Sequence, residues 1–332
     1  MIAADRVSKL GGREADCPMT TGKSTHIFGP VPSRRLGLSL GVDLVPRKLC
    51  TLDCVYCQVG RTTDKRVERG DFVPVADVLA ELAETLPRVP RPDYITMSGS
   101  GEPTLNARLG EVIDGVRRLT DVPVAILTNG TLLDDPAVRA ECAKADLVVP
   151  SLDAGDEETF QQVNRPAPGL TLEGLVEGIT AFRREFTGQL WLEVFLIAGM
   201  NDGDDQVAKI GQLIEGIEPD RVQLNTATRP TAETGVGALS PERLADIARR
   251  VGHGAEVVAG FAAQKRTAET ELQQDQVLAM IRRRPVTTDD IAAGLGVHPN
   301  EVAKAVGHLL ESGAVVRTER GGRTYFEAAE KP

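Results

Sequence analysis

Cys50, Cys54 and Cys57 crowd into eight positions of the stretch RKLCTLDCVYCQVGRTT, residues 47–63. Thiolates bind soft or borderline ions, which makes zinc and iron–sulfur clusters the candidates. Either would ordinarily take four protein ligands. The other thiols and the nearest imidazole are Cys17, Cys142 and His26, and none stands at paired-ligand spacing. A cubane on three cysteines keeps one iron free of protein, and that position is useful only if a small molecule fills it. The plain alternatives are zinc with a distant fourth ligand, or three incidental thiols.

With 332 residues the chain is long enough for one large domain and a small one. Five cysteines, three of them clustered, do not resemble a disulfide framework and point to metal or redox chemistry in a reducing compartment. Lys and Arg number 38 against 48 Asp and Glu, a formal charge of −10. That balance argues against broad adhesion to nucleic acid or anionic lipid, while allowing a local basic patch. No apolar run reaches the length of a membrane span. Residues 1–25 read as a polar tail without the apolar core of a signal peptide. The expected location is the cytoplasm, with no membrane partner.

The cysteines need elements to hold them. From about residue 38, short apolar runs alternate with helical patterns. Strands are expected at 38–45, 93–99, 123–130, 145–153, 189–199 and 220–226, with a further short run at 255–261. Helices are expected at 75–86, 108–119, 136–144, 171–186, 204–217 and 241–250. Strands apolar nearly throughout belong in a parallel sheet covered on both faces. The count is six βα units, fewer than the eight of a complete barrel, and the class is α/β.

A polar linker at 262–271 ends the alternation. Beyond it, 272–284 reads as an amphipathic helix ended by Pro285, and 287–296 as a helix with Thr287 and Asp290 at capping-box spacing. Residues 297–313 give a turn and a helix ending at Gly313, and 314–328 two strands about a Gly-Gly hairpin. Helix, helix–turn–helix and hairpin over 272–328 is the order of a winged-helix domain.

C-x3-C-x2-C with an aromatic, Tyr56, before the last cysteine resembles the signature of the radical S-adenosylmethionine (SAM) superfamily. The resemblance covers roughly residues 26–260. It implies a partial (βα)6 barrel with a [4Fe–4S] cluster on Cys50, Cys54 and Cys57, in the loop after the first strand. The amino and carboxylate groups of SAM would chelate the fourth iron. SGSGEPTL (98–105) resembles the family's glycine-glycine-glutamate motif, which meets the SAM amino group. Here the glycine pair is interrupted, as Gly99-Ser100-Gly101-Glu102. Glycines at such a turn let backbone carbonyls approach a ligand. TNG (128–130) and SLD (151–153) close the third and fourth strands, and NRP (164–166) resembles an arginine position that pairs with the methionine carboxylate. By resemblance the SAM contacts are Tyr56, Gly99, Gly101, Glu102, Asn129, Ser151, Asp153, Arg165, Glu193 and Asn225, with Asn201 offered beside them.

The chemistry the resemblance implies is reductive cleavage of SAM to methionine and a 5′-deoxyadenosyl radical, which abstracts hydrogen from a substrate. It implies an electron donor such as a flavodoxin or ferredoxin, and it calls for no catalytic triad. GPVPSRRLG (29–37) together with CVYCQVGRTT is similar to the iron–sulfur oxidoreductases related to the tRNA wyosine-base enzymes. Those enzymes carry a second cluster on further cysteines, which this chain lacks. Arg34, Arg35 and Arg61 are candidates for an anionic-ligand patch, or for pairing with surface carboxylates.

In the terminal domain the second helix offers Glu301, Lys304, His308 and Glu311, which is not a basic face, whereas the hairpin offers Arg317, Arg320 and Arg323. The leading expectation is a macromolecular substrate presented partly by the winged helix, RNA first and a peptide or protein second. One alternative is a small-molecule enzyme whose winged helix serves oligomerisation. The other is a SAM- or redox-responsive DNA-binding regulator.

Overall fold

A computed structural model describes residues 26–33, 35–228, 231–258, 274–295, 297, 299–320 and 322–329. The 1–25 tail with Cys17, the 262–271 linker, Arg34 and His298 lie outside the described residues. The chain begins with β1 (Ile27–Ser33) and β2 (Gly37–Val42), an antiparallel hairpin. The cysteine loop follows, with the short parallel pair β3 (Leu49–Cys50) and β4 (Asp64–Lys65). Strands and helices then alternate. The order is α1 (Val75–Thr85), β5 (Tyr94–Met97), α2 (Leu109–Leu119), β6 (Val124–Thr128), α3 (Pro136–Cys142) and β7 (Leu147–Pro150). After α4 (Glu157–Val163) and α5 (Leu172–Glu185) come β8 (Gln189–Leu196), α6 (Asp204–Ile217), β9 (Arg221–Thr226), α7 (Pro241–Val251) and β10 (Glu256–Val257).

The main sheet has eight strands in the order β1-β2-β5-β6-β7-β8-β9-β10. Every neighbouring pair from β2 onward is parallel. Strand order follows chain order, as in a barrel wall that does not close. Val124, Val148, Leu192 and Val222 are fully buried, along with the helix residues Val78, Ile113, Ile179 and Ile210 that cover the outer face. These βα units carry the apolar face that folds the domain. They also bring every strand-end loop to one side, where βα-barrel sites sit.

The hairpin is a departure from the sequence reading, which began the sheet at residue 38. Gly29, Pro30 and Pro32 break the alternation of β1, and its register shifts between Phe28 and Val31. Proline is tolerated at a sheet edge, where one row of N–H groups needs no partner. The expected strand ends at 45, 99, 130, 153 and 199 also prove too generous. The chain leaves the sheet at Val42, Met97, Thr128, Pro150 and Leu196, so the polar residues after each strand sit in loops.

The terminal unit comprises α8 (Gln274–Ile281), α9 (Thr288–Leu295), α10 (Pro299–Glu311) and the antiparallel hairpin β11 (Val315–Arg320) and β12 (Arg323–Ala328). The box at the start of α9 is reciprocal: Thr287 N donates to Asp290 Oδ2 at 3.0 Å, and Asp290 N to Thr287 Oγ1 at 3.0 Å. Val277, Ile281, Ile291, Val302, Val306 and Phe326 form its own core. α8 and α9 pack on β1, and Val31 joins the terminal core. The edge strand is thereby covered.

Candidate active site

The cysteine loop leaves β2 at Val42 and is fastened to the next strand-end loop by backbone. Lys48 N donates to Ser100 O at 2.7 Å, and Glu102 N to Leu49 O at 3.0 Å. Gly101 permits this approach, since a Cβ there would lie 2.0 Å from Leu49 O. All three loop cysteines are part-exposed, whereas Cys142 is buried in α3.

Donors point at the sulfurs. Leu52 N and Asn129 Nδ2 approach Cys50 Sγ at 3.5 Å, and Asn164 Nδ2 approaches Cys54 Sγ at 3.4 Å. The Val59 and Gly60 amides do the same for Cys57. Burial, joined by the field of Glu102, pushes the Cys50 thiol up to about 12. Burial also raises Cys54 and Cys57. Sulfurs that accept from amides yet cannot ionise alone are suited to metal, because coordination deprotonates a thiol outright. Among the described residues, no three His, Cys, Asp or Glu groups close round one point as ligands of a single ion would. A cubane takes each thiolate at a separate iron, so three cysteines with amide donors fit an iron–sulfur cluster.

A buried polar network holds the far side of the loop. Tyr56 lies against Phe195 of β8, with ring centroids 3.9 Å apart and planes 8° from parallel. Its hydroxyl donates to Asp153 in a short hydrogen bond. Asp153 also accepts from Asn164 Nδ2 and Phe195 N, each at 2.8 Å. Burial raises the Asp153 carboxyl to about 6 against these donors. Asn164 thus touches both Asp153 and Cys54.

Glu102 is buried 26 residues from Thr128 in sequence and binds it directly. One carboxylate oxygen accepts from Thr104 N at 3.1 Å, Thr104 Oγ1 at 2.7 Å and Thr128 Oγ1 at 2.6 Å; the other accepts from Asn129 N at 2.7 Å. Burial raises its pKa despite those donors. Asn129 in turn donates to Thr51 Oγ1 at 2.7 Å. Gly99 has φ of 152°, and a Cβ there would lie 2.4 Å from the Asp43 carboxyl carbon. Asp43 accepts from Ser100 Oγ at 2.6 Å and from Ser100 N.

Above the loop lies a cavity of about 360 Å³. Cys54, Tyr56, Cys57, Gly99, Ser151, Glu193, Phe195 and Asn225 line it from the barrel. Phe28, Val31 and Val258 line it from the two sheet edges, and Met280, Arg283, Arg284 and Val286 from the terminal unit. Within it Glu193 forms a short ion pair with Arg35 and accepts from Asn225 Nδ2 at 3.0 Å.

The structure therefore sorts the candidate residues. Tyr56, Gly99, Ser151, Glu193 and Asn225 line one cavity with two of the cysteines. Gly101, Glu102, Asn129 and Asp153 stand behind its wall, where their polar atoms hold the loops. Arg165 lies elsewhere, in a left-handed conformation with φ of 48°, and pairs with Glu233 at 2.7 Å. Asn201 is fully buried and holds Ile197 N, Asp153 O and Phe195 O. Of the expected patch, Arg35 and Arg61 do not share one surface, and Arg34 lies outside the described residues. Arg61 pairs with Glu233 and Asp53, away from the Arg35–Glu193 pair. Sequence reasoning missed Asn164, Asp43 and Arg283. Asn164 stands in the very NRP triplet that drew attention to Arg165.

Residues 44–210 match the family model described as Radical SAM superfamily. The chain is 36% identical over 296 residues to a protein named GTPase Obg from Brachyspira hyodysenteriae, a match covering 88% of this chain and 44% of that one. It thus spans less than half of that relative. A UPF0026 protein of Helicobacter pylori strain J99 is 33% identical over 282 residues, covering 82% of this chain and 88% of its own. A solved structure of TYW1 with a lysine–pyruvate adduct bound is 20% identical, with a TM-score of 0.49, and the match covers 68% of this chain and 75% of that one. The cofactors of the matched family are a [4Fe–4S] cluster and SAM, the pair that a three-cysteine loop beneath a cavity suits. The chain belongs to the radical SAM superfamily.

Proposed function

We propose that the protein is a radical SAM enzyme acting on a small molecule in the cavity between the barrel mouth and the terminal unit, which we read as a winged helix. The carrying observation is the loop of three cysteines, each sulfur facing amide donors, at the floor of a cavity walled by the strand-end residues. Bound together there, the cluster and SAM supply one-electron cleavage of a sulfonium and hydrogen-atom abstraction.

The chain's own residues position and shield. Cys50, Cys54 and Cys57 would hold three irons, and Asn129 and Asn164 donate to two of the thiolates, which tunes their charge. Tyr56 pins the loop to β8 through its ring, on Phe195, and to the loop after β7 through its hydroxyl, on Asp153. Gly99 and Ser151 offer backbone and hydroxyl to SAM, while Glu193 within β8 and Asn225 near the end of β9 offer polar groups. Phe28, Val31, Phe195 and Val286 give apolar wall that keeps water from the reacting centre.

Two observations favour a small molecule over RNA. Met280 and Val286 make the terminal unit a wall of the cavity that Cys54 and Tyr56 also line. On the hairpin, Arg317 pairs with Glu319 at 2.5 Å and Arg320 with Glu327 at 3.3 Å, so the charge available to phosphates is reduced.

The test is SAM turnover. Anaerobically reconstituted protein, given SAM and a strong reductant, forms 5′-deoxyadenosine, and Cys54→Ala forms none. A protein that carries its cluster and binds SAM yet yields no 5′-deoxyadenosine would be a sensor instead of an enzyme.

A further inference from the structure

Arg283 follows α8 and reaches into the cavity from the terminal unit. Its guanidinium carbon lies 3.0 Å from the centroid of the Phe28 ring. That ring rests in turn on the bare backbone of Gly41, where a Cβ would come within 1.9 Å of it. The three residues form a stack that fixes the guanidinium in place. Such a cation–π seat orients Arg283 without occupying its N–H groups.

Those N–H groups are poorly matched. Among the described residues the side-chain hydrogen bond of Arg283 is one from Nη1 to Asp43 Oδ2, at the long distance of 3.5 Å. Asp43 is already held by Ser100 N and Ser100 Oγ. A guanidinium carries five N–H donors in a planar fork. The side chain is only 22% exposed, and burial lowers its pKa to about 10 against the pull of Asp43 and Glu81. The other cavity cation with a partner inside, Arg35, is matched by Glu193. A positive charge with spare donors thus faces a cavity whose walls are largely apolar.

We infer that Arg283 is a specificity-determining residue that anchors an oxyanion group, carboxylate or phosphate, of the substrate, so that the terminal unit completes the binding site. The planar fork suits either group through paired hydrogen bonds. The inference rests on the reading of the cavity as the site of a small-molecule radical SAM enzyme. It gives the substrate an acidic end beside Phe28 and an apolar body toward Phe195.

The probes are succinate and inorganic phosphate, titrated calorimetrically into the full-length, cluster-loaded enzyme with SAM bound. At least one binds, and Arg283→Gln weakens it by about tenfold or more. Arg283→Lys weakens it less, because the ammonium keeps the charge and loses the fork. SAM affinity is unchanged in both variants, which also checks the fold. With unaltered protein, the same anion slows modification of Arg283 by phenylglyoxal, read by peptide mass spectrometry. Equal anion binding by Arg283→Gln, or no protection of Arg283, overturns the inference. A parallel fall in SAM affinity assigns the guanidinium to the SAM carboxylate and also overturns it. Protein that binds the anion through Arg283 but forms no 5′-deoxyadenosine supports the subsite and removes the enzyme reading beneath it.

Discussion

Gly101 ties the cysteine loop to the neighbouring strand end by having no side chain. A methyl group there would fall 2.0 Å from Leu49 O, a backbone atom that cannot step aside without moving Cys50. Gly101→Ala therefore loses most of its iron and sulfide after reconstitution, while Cys142→Ala, which removes a thiol buried in α3, keeps them. Iron analysis of the two variants checks both halves. The cysteine spacing was legible in sequence because ligation demands residue types as well as positions. The roles of Glu102, Asn129 and Asp153 were not. Each is a polar residue near a strand end, and only the fold shows its partners: Thr104, Thr128 and Asn129 for Glu102, Cys50 and Thr51 for Asn129, and Tyr56, Asn164 and Phe195 for Asp153. Asn164 and Asp43 are single residues whose partners, Cys54 and Ser100, stand 110 and 57 positions away, a separation that no local pattern carries.

Among the elements, α4 connects the Asp153 loop to the outer helices, and Asp156 governs its start. Asp156 accepts from Thr159 N at 3.0 Å and from Lys209 Nζ at 2.9 Å. Its cap bond to Thr159, then Lys209, holds the carboxyl well below the usual carboxylate range. A depressed folded pKa adds stability that is present above the unfolded pKa and is lost as pH falls through the folded one. Asp156→Ala costs about 1 kcal/mol at neutral pH, as a lost N-cap does. Its deficit relative to the parent shrinks below about pH 4. Urea denaturation followed through Trp191, the one tryptophan, measures both. α4 itself escaped the sequence reading, being seven residues long and largely polar. The longer helices were legible because their apolar stripes repeat over several turns, and the central strands because burial on both faces makes them continuously apolar. β1 was hidden by its two prolines.

At the scale of the molecule, an open sheet leaves two edges, β1 and β10, and a gap between them. The terminal unit packs on β1 through α8 and α9, and its Met280 and Val286 share a cavity with Val258 beyond β10. The part of the chain that reads as a separate module is therefore a wall of the site. The cysteine loop and the terminal unit thus line one cavity within one chain. Among the described residues no helix is long and apolar enough to cross a membrane. Three cysteines leave one iron of a four-iron cluster open to SAM. Mössbauer spectra of protein reconstituted with 57Fe, recorded with and without SAM, read this out iron by iron. SAM is expected to shift one iron in four and leave the other three. Four irons that do not respond to SAM, in protein shown to bind it, would mean that no iron is open to it.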